Sequence, residues 1–125
     1  MLYRSPRILV IDDEPPITDT LAKILELQGY EVATAYSGEE AVRTACLFQP
    51  DFLLSDILMG GMNGIDAAIE ILKFIPHCKV LFISGHASYR DLQADGGGRG
   101  QEFEVLAKPV HPTELLRKIS RVLAA

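Results

Sequence analysis

The chain of 125 residues has the length of one domain, and its 48% apolar content is enough to bury a full core without disulfide or metal staples. A net charge of −5 argues against non-specific nucleic-acid binding, and no apolar run approaches the ~20 residues that span a bilayer. Cys46 and Cys78 have neither CxxC spacing nor a partnering His cluster, so they read as free thiols, buried or half-buried, in a reducing cytoplasm.

The N-terminal residues up to Arg7 include two arginines, Arg4 and Arg7, but no hydrophobic region with a cleavage site follows. Ile8-Leu9-Val10-Ile11 reads as a buried strand that ends in Asp12-Asp13. Pro15-Pro16 suits the first turn of a helix. Its face is Ile17, Leu21, Ile24 and Leu25 at i, i+4, i+7 and i+8, and Gly29 sits where a C-terminal cap belongs. Glu31–Ala35 alternates polar and apolar residues, as an edge strand should. Ser37-Gly38-Glu39-Glu40 has the Ser-x-x-Glu form of a capping box. The helix it opens puts Ala41, Val42, Ala45, Cys46 and Phe48 on one side and stops before Pro50.

Phe52-Leu53-Leu54-Ser55-Asp56 is a continuous apolar run ending in a carboxylate, the pattern of a core strand in a parallel sheet. Residues 57–63 form a loop containing Gly60-Gly61. A helix follows with Ile65, Ala68, Ile69 and Leu72 as its buried stripe, and Pro76 closes the segment. Val80-Leu81-Phe82-Ile83 is another core strand, ending at Ser84-Gly85. Residues 87–94 give about two turns of helix before Asp95-Gly96-Gly97-Gly98-Arg99-Gly100, which has no helical support. Residues 103–107 form the second edge strand and run into Lys108-Pro109. The last helix starts near Pro112, with Leu115, Leu116, Ile119, Val122 and Leu123 at helical spacing. Strand and helix alternate five times, which predicts an α/β doubly wound parallel sheet with helices on both faces and right-handed crossovers. No repeat, heptad, linker or second domain interrupts it, so residues 1–125 read as a single domain.

Ligand sites in such sheets lie beyond the carboxyl ends of the strands. Those ends carry Asp12 and Asp13, Asp56, Ser84 and Lys108. Singly, each fits a turn, a helix cap or a solvated side chain. Jointly they put three acids, a hydroxyl and an amine at one rim. Crowded carboxylates raise a pKa or gather a cation, and hard oxygen donors suit Mg²⁺. A carboxylate beside it can become a nucleophile. A hydroxyl and an ammonium then supply a donor and a counter-charge for phosphoryl oxygens.

At this point the chain resembles a response-regulator receiver domain of two-component signalling, over nearly its whole length. The residues that carry the likeness are Ile8 to Glu14, Leu54-Ser55-Asp56 with Met59 and Gly64, Ile83-Ser84, and Lys108-Pro109. The resemblance implies a flavodoxin-like five-stranded sheet of order 2-1-3-4-5. It implies that Asp56 accepts a phosphoryl group from a histidine kinase or a histidine phosphotransfer protein. It makes Asp12, Asp13, Asp56 and the main-chain carbonyl of Leu58 the Mg²⁺ ligands, Asp12 through water. Ser84 becomes the hydroxyl that follows the phosphoryl group and Lys108 its counter-ion, with a cis peptide bond before Pro109. The implied protein is a cytoplasmic switch that works through protein contacts, not a turnover enzyme, and is a monomer or weak dimer without direct nucleic-acid or membrane binding.

Three departures stand out. Gly60 replaces the family's usual Pro and should loosen the loop, Val105 stands where an aromatic switch residue is expected, and glycines occupy positions 96–98 and 100. Residues 95–101 are therefore expected to be the least protected internal segment. Three other readings fit less well. A phosphohydrolase needs an acid where Leu58 stands, and a flavodoxin-like cofactor binder needs a phosphate loop where Asp12-Asp13-Glu14 stands. An unphosphorylated scaffold would leave the filled chemical positions without use.

Overall fold

The computed structural model describes residues 4–85 and 103–124. Its strands are β1 (Arg7–Ile11), β2 (Glu31–Ala35), β3 (Phe52–Asp56), β4 (Lys79–Ser84) and β5 (Glu104–Ala107), and its helices are α1 (Pro15–Leu27), α2 (Gly38–Phe48), α3 (Gly64–Phe74) and α4 (Pro112–Ala124). The strands form one parallel sheet in the order β2-β1-β3-β4-β5, as expected. All five residues of β3 are buried, because it lies mid-sheet with both faces covered. The expected short helix at residues 87–94 and the glycine-rich segment 95–101 lie outside the described residues.

Successive side chains of a strand point to opposite faces, and that splits the core in two. Leu9, Ile11, Leu53 and Phe82 pack under α2 and α3 with Ala41, Ala45, Ile65, Ala68 and Ile71. Ile8, Val10, Leu54 and Ile83 pack on the other face against Leu21 and Leu25 of α1 and Leu115 and Ile119 of α4. The order reverses between β1 and β3, so their carboxyl ends open the crevice in which ligands of such sheets bind.

The helix ends follow local chemistry. α1 stops at Gly29, whose φ is +95°. There Gly29 N–H donates to Glu26 O and Tyr30 N–H to Leu25 O, the paired bonds of a Schellman close. Ser37 Oγ accepts from Glu40 N–H at 3.0 Å, half of the expected capping box. The Glu40 carboxylate reaches one residue further out than that box requires and accepts from Tyr36 N–H at 3.2 Å.

Two core assignments need correcting. Cys46 is exposed while Cys78 is buried, and both thiols are free. Cys46 follows buried Ala45 by one residue, about 100° round the helix, so it turns away from the sheet. The stripe of α3 centres on Ala67, Ala68 and Ile71, with Ile69 and Leu72 only half-buried at its margins. No helix among the described residues is long and apolar enough to cross a membrane.

Candidate functional site

β1 delivers Asp12, which is fully buried and fixed from several directions. Its N–H donates to Ala35 O at 3.2 Å, and its Oδ1 accepts from Glu14 N–H at 3.0 Å. Thr18 Oγ1 of α1 donates to the Asp12 carbonyl at 2.7 Å. The next residue, Asp13, is exposed, and its Oδ2 accepts from Gly60 N–H at 3.3 Å.

β3 delivers Asp56, only 7% exposed. Ile57 N–H donates to its Oδ1 at 3.0 Å, which fixes the tilt of the carboxylate and so the direction of its second oxygen. Ser55 Oγ donates to the Asp56 carbonyl at 2.8 Å. α3 starts hard against this strand end. A Cβ at Gly64 would run into the Asp56 carbonyl and the Ser55 hydroxyl, and Gly64 N–H donates to Ile57 O at 2.8 Å.

From the far side comes Lys108, just beyond β5. Its main-chain N–H donates to the Ser84 carbonyl at 2.9 Å, and the following peptide bond to Pro109 is cis. Its Nζ lies 3.2 Å from Asp12 Oδ2 and 3.5 Å from Asp56 Oδ1. Ser84 ends β4 in a buried position, paired in register with Ala107. Leu58 lies in the loop that leaves β3, with its side chain exposed.

Among the described residues, Asp12, Asp13 and Asp56 each offer a carboxylate oxygen within 4.8 Å of the others. Burial, opposed by the Lys108 charge and reinforced by Asp12, pushes Asp56 up to about 6. For Lys108, burial pulls downward, but the charges of Asp56 and Asp12 outweigh it and the ammonium is raised. At neutral pH the site thus pairs the Asp56 carboxylate with a firmly protonated lysine. All-oxygen, dianionic or trianionic donor sets of this kind fit a hard divalent cation that keeps several waters. Alongside, α1 and α4 bound an apolar groove of about 720 Å³ lined by Pro16, Ile17, Leu21, Lys108, Pro109 and Leu115.

The structure therefore gathers Asp12, Asp13, Asp56 and Lys108, and ties Ser84 to Lys108 through the main chain. Gly60 and Gly61 each have a role in the loop. Proline would lack the N–H that Gly60 gives to Asp13, and Gly61 takes φ +79°. Sequence reasoning missed Thr18 and Ser55, whose hydroxyls hold main-chain carbonyls of the two acids. A polar residue buried in an apolar stripe was the available signal in both cases.

Comparison with known proteins matches residues 8–120 to the response regulator receiver domain. PilH of Pseudomonas aeruginosa is 33% identical over 118 residues, 94% of this chain and 98% of that protein. The transcriptional regulatory protein PrrA of Mycobacterium tuberculosis is 33% identical over 119 residues, 95% of this chain but 50% of PrrA, so the chain spans about half that relative's length. The solved structure of the response regulator protein TrrA from Thermotoga maritima, in complex with Mg²⁺-BeF, superposes with a TM-score of 0.79 at 34% identity, covering 94% of this chain and 98% of that one.

Proposed function

The chain belongs to the response regulator receiver domain family, and on that premise we propose that it is a phosphoacceptor switch whose acceptor is Asp56. The observation that carries this reading is the buried carboxylate of Asp56 at 3.5 Å from Lys108, in a cluster with two further acids.

In the proposed step an oxygen of Asp56 attacks the phosphorus of a phosphohistidine. A P–O bond forms, the P–N bond breaks, and the departing imidazole takes up a proton. Phosphoryl transfer asks little of a protein beyond positioning and neutralisation. The Ile57 N–H orients the nucleophile, and Lys108 neutralises charge on the incoming oxygens. Ser84 donates its hydroxyl to the phosphoryl group once it is attached. Asp13, Asp56 and the Leu58 carbonyl would hold Mg²⁺ directly, with Asp12 through water. That cation would supply counter-charge to the acids and the phosphoryl oxygens. Asp12, pinned to Glu14 N–H and Lys108, keeps the lysine pointed at Asp56. That the similar TrrA was solved in complex with Mg²⁺-BeF supports a Mg²⁺ at this acidic cluster.

The phosphodonor in this reading is a histidine kinase or a histidine phosphotransfer protein. Output passes through protein contacts of the same domain. Intact mass measured after incubation with a small acyl phosphate and Mg²⁺ tests the reading. One phosphoryl group should be added, lost in base, absent without Mg²⁺ and absent in Asp56→Asn. An unchanged mass in the wild-type protein overturns it.

A further inference from the structure

The loop that leaves β3 is held from two sides by carboxylates that belong to other elements. On one side Asp13 accepts from Gly60 N–H at 3.3 Å. On the other, Glu39 of α2 accepts from Met62 N–H through Oε2 at 3.4 Å. The two donors stand two residues apart, so the segment between them is linked both to the residue after β1 and to α2.

The packing around Glu39 shows that this meeting is built in. A Cβ on Gly61 would lie 2.8 Å from Glu39 Oε2, and a Cβ on Gly38 would lie 2.7 Å from the Met62 carbonyl. Glycine at position 38 lets the first turn of α2 approach the Met62 main chain more closely than a side chain allows. Gly61 also carries φ +79°, in the left-handed region that favours glycine.

We propose that Glu39 is a positioning residue for the acidic site, holding the loop that carries Leu58 against Asp13 by way of the Met62 amide. The proposal rests on the reading that this cluster takes Mg²⁺. Glu39 itself touches none of the three clustered acids through any contact seen here; it acts through the main chain of residues 60–62. It makes the first turn of α2 part of the support of the metal site, and ties the position of that helix to the position of the Leu58 carbonyl.

Two substitutions separate placement from charge. Glu39→Ala removes the acceptor and the charge, whereas Glu39→Gln removes only the charge and keeps an oxygen for Met62 N–H. In the full chain labelled with ¹⁵N, Glu39→Ala should shift the amides of Gly60, Gly61 and Met62 and weaken Mg²⁺ binding about tenfold, the low end for losing a group that orients a ligand. Glu39→Gln should leave those amides near their wild-type positions and restore affinity to within about twofold of wild type. Equal affinity loss in the Ala and Gln variants would reduce Glu39 to a long-range charge and overturn the proposal. So would unshifted loop amides in Glu39→Ala. If wild-type protein takes no Mg²⁺, the metal reading fails instead. The loop amides then decide the positioning role alone: shifts in Ala but not in Gln uphold it, and no shift overturns it.

Discussion

Asp56 holds its charge at a cost to the fold. A carboxylate raised to about 6 from the usual 3.8 binds its proton more tightly folded than unfolded. Between those two values the folded state carries more protons, so stability falls as pH rises through the window, and the full cost is present above it. Asp56→Asn removes the charge and keeps the shape. It should raise the unfolding free energy by about 3 kcal/mol at pH 8, the equivalent of that shift, in which the attraction of Lys108 is already included, and most of the gain should be lost near pH 4. Urea unfolding of both proteins across pH 4–8 checks this, and a gain independent of pH would contradict it. Mg²⁺ affinity should fall in the same range as Asp56 takes up its proton.

Lys108 acts on the same titration from the other side. Its charge is the largest influence that lowers Asp56. Lys108→Met should therefore move the Asp56 midpoint well above 6, followed through the carboxyl carbon by NMR. An unmoved midpoint would mean that the ion pair at 3.5 Å does not form in solution.

Elements bring these residues together, and the α2 and α3 ends are where a small change should register. Ser37 caps α2 through its hydroxyl, so Ser37→Ala should cost about 1 kcal/mol. The effect should reach the site, because the capped turn carries Gly38 and Glu39 against Met62. Ile71 of α3 is fully buried among Leu53, Ile57 and Phe82, and Ile71→Ala should cost about 2–5 kcal/mol. Chemical denaturation measures both, and a loss under 1 kcal/mol for Ile71→Ala would show that α3 is not seated as described.

At the scale of the whole molecule, the repeating strand-helix pattern was legible because parallel strands must read as apolar runs and their helices as stripes. Strand ends were legible too, since a carboxylate after Ile11 or Leu54-Ser55 has only one rim to occupy. Exposure of Cys46 and the margins of α3 were not, because a helix's rotation on the sheet is set by packing and not by its own period. The Gly60–Asp13 and Met62–Glu39 bonds join segments far apart in sequence through main-chain donors, which leave no trace in residue type. Val105 of β5 is half-buried against the α2–α3 side of the core, and residues 86–102 lie outside the described residues.

One cation bound at the junction of β1 and β3 should stabilise the whole sheet by mass action, about 2.7 kcal/mol at a hundredfold excess over the dissociation constant. Mg²⁺ should therefore raise the melting temperature in a saturable way, and Asp13→Asn should remove most of the rise. A flat response at millimolar Mg²⁺ would show that the acids are not a metal site.

The most direct test of the account is where the phosphoryl group sits. Acyl phosphates are reduced by borohydride to the corresponding alcohol, so protein treated with a small acyl phosphate and Mg²⁺, then reduced and digested, carries a record of the acceptor. The account predicts homoserine at position 56, absent without Mg²⁺ and absent in Asp56→Asn. A phosphoryl group retained on Ser55 or Ser84, or a reduced residue at Asp12 or Asp13 with Asp56 intact, would contradict it.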